Sequence, residues 1–292
     1  MFNSIKKVVA VSSLIVGLVG VSAFAVSGMI QIKGSDTMVN LGQRWAEDFM
    51  KKYPNIPVSV TGGGSGTGFA ALINGTCDIA EASRSIEPKE ITLAQSRKIV
   101  PVEQKVGLDG LTVVVNPKNP VSKLTIDQLS DIFTGKIKNW SQVGGKPGTI
   151  VILSREVNSG THVYFKEHVL RHGNAKGPEE YAPDALLLPS SQAIADEVAS
   201  NPNAIGYYGM GYLSPKQKAI LVAKDKSSAY INPTVDNVIN GTYPISRPLF
   251  MYTNGKPQGN VKLFIDYVLS AEGQQIVSKL DFVPIKQGAS KK

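Results

Sequence analysis

The chain has 292 residues, 42% of them hydrophobic and 18% charged, with a formal net charge of +8 and a single cysteine, Cys77. This length is long for one core and comfortable for two domains, the composition is that of an ordinary globular chain, and an internal disulfide is excluded. The basic residues are scattered, which gives a general field favouring anions rather than the clustered stripe of a nucleic-acid-binding face, so no nucleic-acid partner is expected.

Lys6 and Lys7 precede an uncharged apolar run, Val8–Val21, and Ala23-Phe24-Ala25 offers small residues at a cleavage position. That order reads as a secretory signal peptide, 1–25, cut after Ala25. The run is short for a bilayer span, and Cys77 lies too far away to carry a lipid at a new N-terminus. The expectation is an exported, unanchored protein.

Met29–Lys33 alternates as a strand, and Leu41, Trp45 and Phe49 then recur on one helix face. Between them lies Gly34-Ser35-Asp36-Thr37, at a helix N-terminus, where such residues either cap the helix or face an anion. Ile56–Val60 is a second strand, followed by the glycine loop Thr61–Phe69 and a helical run, Phe69–Asn74. Strand, glycine loop and helix start allow several backbone N–H groups to converge on one anion, with Ser65 and Thr67 adding hydroxyls. No Gly-Lys-Ser/Thr follows, so this is not a nucleotide-binding P-loop. Cys77–Ala82 reads as a buried strand ending in Ser83-Arg84-Ser85, and Pro88 opens the next helix. Arg84 is either a surface charge or a guanidinium fork aimed into a cleft.

Val100–Val106 and Leu111–Val115 read as two strands, and the break at Asn116–Pro120 marks a crossing between domains. Thr125–Phe133 is a capped amphipathic helix. Ile150–Leu153 leads into Ser154-Arg155 and then Asn158-Ser159-Gly160-Thr161-His162, a second strand–arginine–Ser-Gly-Thr–helix arrangement. Ser191–Ala199 reads as a helix, Ala204–Tyr208 and Ala219–Ala223 as strands, Pro248–Tyr252 as the return strand, and Val261–Lys279 as helices. Alternating strands and helices predict α/β layers with mainly parallel sheets.

Taken in this order and spacing, the chain resembles the periplasmic phosphate-binding proteins that feed phosphate ABC importers. The resemblance is carried by Gly34–Thr37 with Trp45, Gly62–Gly68, Ala82–Arg84, Phe133–Lys136 with Asn139-Trp140, Ser154–Thr161, Ala204–Gly209, Glu272–Gln275 and Phe282–Pro284. It implies an α/β, two-lobed type II periplasmic-binding-protein fold, hinged by two crossover strands. One lobe would comprise 26–115 and 246–292, the other 116–245. It further implies that phosphate is held by Asp36, Thr37, Ser65, Ser83, Arg84, Arg155, Ser159, Gly160 and Thr161. The chain departs from the family's enterobacterial pattern at three of the positions involved: Asp36 stands where that pattern has threonine, Arg84 where it has aspartate, and Val157 where it has a second aspartate.

Phosphate near neutral pH carries a proton and sulfate does not, so a carboxylate that accepts the P–O–H proton discriminates between them. Asp36 is the expected acceptor. The expected function is phosphate capture for a membrane permease by a monomer with no catalytic role, cofactor or metal; the alternative is the same fold binding sulfate, molybdate or tungstate. A serine hydrolase built on Ser65 or Ser159 with His162, His168 or His172 lacks the Gly-x-Ser-x-Gly elbow. His168 and His172 are four apart but come without the Glu of a His-Glu-x-x-His zinc motif.

Overall fold

The computed structural model describes residues 28–285, so the expected signal peptide lies outside the described residues. Strand β1 (Ile30–Gly34) passes through a 3-10 turn at Asp36–Met38 into helix α1 (Val39–Lys52), and β2 (Val58–Thr61) leads to α2 (Ser65–Ile73). β3 (Ile79–Ala82) precedes α3 (Pro88–Ser96), β4 (Pro101–Val115), β5 (Lys123–Thr125) and α4 (Ile126–Phe133). β6 (Val151–Arg155) runs into α5 (Gly160–Phe165) and a π-helical turn, Lys166–Leu170, followed by β7 (Leu186–Leu188), α6 (Ser191–Ser200) and β8 (Ala204–Gly209). β9 (Lys218–Ala219), β10 (Leu221–Ala223) and α7 (Val235–Ile239) come next, and β11 (Ser246–Asn254), α8 (Gly259–Leu269) and α9 (Ala271–Lys279) complete the order.

Apolar spacing accounts for the packing. Leu41, Trp45 and Phe49 form the stripe of α1 and are wholly buried; each such side chain contributes roughly 1.5–3 kcal/mol by leaving water. The Trp45 indole N–H donates to Gly273 O at 2.8 Å, tying α1 to α9. Thr125 caps α4 in a reciprocal box with Gln128, as its sequence position suggests.

One nine-stranded sheet runs in the order β2-β1-β3-β11-β4-β8-β6-β7, with β9 added beside β4. The outer pairs β1–β2, β1–β3, β6–β8 and β6–β7 are parallel. Every antiparallel ladder between strands of this sheet contains β4 or β11. The fold is therefore a two-lobed α/β architecture in which β1–β3 and β6–β8 form similar three-stranded groups, with β4 and β11 passing between them. The largest apolar cluster lies along this shared sheet, and smaller ones cover the outer faces around Phe69 and Tyr252 in the first lobe and around Leu153 and Val198 in the second.

Two strand boundaries differ from expectation. Val100–Val106 and Leu111–Val115, expected as separate strands, fall on the single β4, which begins at Pro101 and pairs with β11 up to Gly110 and with β8 from Leu111. The stretch Gly107-Leu108-Asp109-Gly110 has the composition of a break, but the Asp109 carboxylate is paired inside the fold and the strand continues. Conversely, 219–223 divides, because β9 joins β4 while β10 joins β5. Pro248 lies within β11 beside a register shift at Leu249/Phe250, where a residue lacking N–H is tolerated.

Glu81 of β3 is 1% exposed, and its Oε1 has no hydrogen-bond partner among the described residues. Burial raises its carboxyl from the ordinary 4.5 to about 8, so the folded chain keeps this proton through neutral pH while the unfolded chain loses it. The stabilising contribution is complete below pH ~4.5, declines as pH rises and is lost above ~8. Denaturant unfolding of wild type and Glu81→Gln at pH 5, 7 and 9 is expected to show the variant gaining stability relative to wild type as pH rises.

Candidate functional site

The loops at the carboxyl ends of β1, β2, β3 and β6 meet at one seam between the lobes, with the N-termini of α2 and α5 directed into it. This is the place where open α/β sheets gather ligand-binding loops. Gly64, just before α2, has φ +96, and a Cβ there would lie 2.7 Å from Asn158 O in the other lobe. The glycine loop therefore supplies both the left-handed turn and the close approach.

At the centre, the hydroxyls of Thr37 and Thr161 share a hydrogen bond of 2.7 Å across the seam. Ser65 Oγ lies 3.4 Å from Ser83 Oγ and accepts from Ser83 N at 3.0 Å, while Ser35 Oγ donates to Ser83 Oγ at 2.9 Å. Gly160 rests against this group, with its hypothetical Cβ 2.3 Å from Ser65 Oγ and 2.8 Å from Ser83 Oγ. Ser159 caps α5, its Oγ accepting from Thr161 N and His162 N. Thr37, Ser65, Ser83, Ser159 and Thr161 are all buried.

The guanidinium in this cluster belongs to Arg247 of β11. Its Nη2 donates to Thr161 Oγ1 at 3.0 Å and to Thr37 Oγ1 at 3.5 Å, and its Nη1 donates to Ser83 O at 3.0 Å. Nε and Nη2 both donate to Asp109 Oδ2, at 3.1 and 2.8 Å, and Asp109 Oδ1 accepts from Met210 N. Both side chains are completely buried. Neither residue is among those the sequence suggests. The available signal is a lone acid in Gly-Leu-Asp-Gly-Leu and a lone arginine before an apolar strand, since charges in such runs are buried only when paired.

Arg84 and Arg155, expected to face the anion, have other partners. Arg84 forms a fork with Glu90 at 2.8 and 2.7 Å, lies 3.5 Å from Glu87, and covers the Phe69 ring. Aspartate at this position would leave Glu90 without this countercharge, Glu87 keeping Lys89 at 2.7 Å, so the departure from the family pattern has a local reason. Arg155, 1% exposed, pairs with Asp36 at 3.1 Å. Burial pulls the Arg155 guanidinium pKa down, and the Asp36 charge opposes that fall. Asp36 Oδ2 also accepts from Ser191 N at 2.8 Å, so this carboxylate is turned to the second lobe's backbone and arginine rather than to the hydroxyl cluster.

Ser65 is paired with Ser83, Ser159 with backbone amides, and His162 through Nδ1 with Arg155 O at 2.8 Å and Ser154 Oγ at 3.3 Å, where the Ser154 hydroxyl also meets Tyr207 Oη. Burial lowers the His162 pKa to about 4, which keeps that ring neutral.

Residues 22–272 match the family model of the PBP superfamily domain. The phosphate-binding protein PstS of Pseudomonas aeruginosa is 32% identical, the match covering 92% of this chain and 87% of that protein. PstS of Bacillus subtilis is 34% identical over 89% of this chain and 81% of its own length. The chain belongs to the PBP superfamily, among its PstS-like proteins. Solved PstS-like relatives share the architecture. A phosphate ABC transporter substrate-binding protein from Clostridium perfringens, determined with bound phosphate, superposes with a TM-score of 0.80 at 32% identity, covering 89% of this chain and all of that one. An ABC-type phosphate transport receptor from Vibrio cholerae gives 0.69 at 30% identity, covering 88% of this chain and 100% of that one.

Closeness at Gly160 is itself testable. Alanine suits a helix start, so Gly160→Ala is expected to fold with a melting temperature within a few degrees of wild type. Its methyl group nevertheless holds the seam apart. Hydrogen exchange at Gly66 N, which donates to Asn158 O at 3.0 Å across the seam, is expected to quicken by about tenfold or more.

Proposed function

We propose that this protein is an extracytoplasmic receptor that binds inorganic phosphate at the seam and delivers it to the membrane permease of an ABC importer. The observation that carries this reading is the buried Arg247 guanidinium bonded to threonine hydroxyls from both lobes. An oxyanion in such surroundings exchanges water for charge-assisted hydrogen bonds, which are stronger than neutral ones. Hydroxyls also accept, so the cluster of Thr37, Ser65, Ser83 and Thr161 can accept a hydrogen bond from the P–O–H of phosphate, a donor that sulfate lacks. The site residues we assign are these four with Ser159, Gly160 and Arg247, and Asp109 orients the arginine.

The lobes in this reading divide as 26–115 with 246–292, against 116–245. The change of β4 from β11 to β8 at Gly110/Leu111 and the start of β11 at Ser246 support that division. Among the described residues no helix is long and apolar enough to cross a membrane. In this reading the carrier is exported by a cleavable leader, as the order of Lys6-Lys7, apolar run and Ala23-Phe24-Ala25 suggests, and acts as a monomer. Opening and closing about β4 and β11 would let the anion enter and leave.

Calorimetric titration is expected to show one phosphate bound per chain, with sulfate a poor competitor. Arg247→Gln should weaken phosphate binding by about 10- to 100-fold, the loss of a hydrogen bond to a charged group being worth roughly 1.5–3 kcal/mol. Full affinity in that variant would move the anion elsewhere.

A further inference from the structure

We propose that Tyr164 is a positioning residue for the anion site, its ring holding the Arg247 guanidinium from the second lobe and its hydroxyl fixing the strand that carries it. The proposal rests on Arg247 being a cation that meets the anion, and it concerns what keeps that cation in place.

A guanidinium is flat, and all of its N–H groups donate within that plane. In the plane Arg247 is tied down: Nε and Nη2 donate to Asp109 Oδ2, Nη1 to Ser83 O, and Nη2 also to the hydroxyls of Thr161 and Thr37. These contacts set the edge of the group, but its faces carry no donor, so the hydrogen bonds resist tilting out of the plane only weakly. An aromatic ring is the partner that suits such a face. Tyr164 supplies it, with the guanidinium carbon 5.5 Å from the ring centroid.

The helix places the ring. Tyr164 follows Thr161 by three residues in α5, so the two share one helix face. Thr161 accepts from the edge of the arginine, and Tyr164, one turn later, covers its face. The Tyr164 hydroxyl donates to Ser246 O at 2.5 Å, immediately before Arg247 in β11, so ring and hydroxyl act on the same short segment. Burial pushes the phenol up to about 12, and it remains a donor through neutral and mildly alkaline pH. The exposed His168 stacks on the Tyr164 ring at 3.8 Å, with the two planes 15° apart, and its Nδ1 lies 3.0 Å from Tyr164 O. A cavity of about 390 Å³ is lined by Tyr164, His168 and Arg247 together with Glu87 and Glu167. Loss of the ring would open the guanidinium face to this space, to water and to competing carboxylates.

The test uses the full mature chain with phosphate as the probe. Tyr164→Phe keeps the ring and loses the hydroxyl, so calorimetry is expected to give an affinity within about threefold of wild type. Tyr164→Met and Tyr164→Leu replace the ring with aliphatic bulk, and each is expected to bind about tenfold or more weakly; if one of them did not fold, the other carries the comparison. Adding either change to Arg247→Gln should cost little more, because the ring acts through the arginine. In NMR spectra of the anion-free protein, the Arg247 Nε–H signal should shift and exchange faster in the aliphatic variants and persist in Tyr164→Phe. Equal losses in the aromatic and aliphatic variants, an aliphatic loss that persists in full on Arg247→Gln, or an unchanged Nε–H signal would each overturn the positioning role. If Arg247→Gln itself bound phosphate fully while the Nε–H signal still responded to the aliphatic variants, the assignment of Arg247 to the anion would fail and the hold of the ring on the arginine would stand.

Discussion

The buried ion pair between Arg247 and Asp109 is the constraint on which the seam depends. Their sequence positions are 138 residues apart, and both side chains are wholly removed from water. Desolvation costs several kcal/mol per ion, and attraction offsets it only when the geometry is good and the remaining polar atoms are bonded. Here they are: Met210 N satisfies the second carboxylate oxygen, and Ser83 O and the two threonine hydroxyls take the remaining guanidinium donors. The pair also joins β4 to β11, so the cation at the centre of the site is carried by the strands that pass between the lobes. Tyr164 of the second lobe braces the same place, its hydroxyl donating to Ser246 O at 2.5 Å and its ring lying beneath the Arg247 guanidinium.

Around that fixed charge, the parallel groups β1–β3 and β6–β8 deliver similar equipment from opposite sides. Each ends its strands in a loop of small hydroxyl residues, and α2 and α5 each start at the seam. Short side chains and glycines allow backbone from the two lobes to touch, as at Gly64 with Asn158 and Gly160 with Ser65. A dehydrated oxyanion needs many donors in a small volume, and only backbone amides and hydroxyls on short stems can be packed that densely. The longer charged side chains are placed outside this centre, Arg84 on its glutamates and Arg155 on Asp36.

This division of labour explains what could be read in advance. Thr37, Ser65, Ser83 and Ser159–Thr161 were legible because their signal is local: a strand, a loop of small residues, and a helix start within ten or so positions. The helices followed for the same reason, their stripes and caps being short-range patterns. Arg84 and Arg155 look alike in sequence, each an arginine at a strand end beside serine, and nothing local distinguishes a guanidinium facing a ligand from one facing a carboxylate. Arg84 finds Glu90 within one turn of the following helix, whereas Arg155 needs Asp36 from the other lobe.

The sequence by itself determined the alternation of strands and helices and the positions of the glycine and Ser-Gly-Thr loops, and its resemblance to the periplasmic phosphate-binding proteins implied a two-lobed α/β receptor for a small oxyanion. Only the tertiary structure decided that β4 is continuous, that Asp109 and Arg247 form a pair, and that Asp36 closes on Arg155. The physical reason is that whether a buried charge is tolerated depends on the countercharge that the fold brings to it. For these pairs that partner lies 119 or 138 residues away, beyond any periodicity or motif.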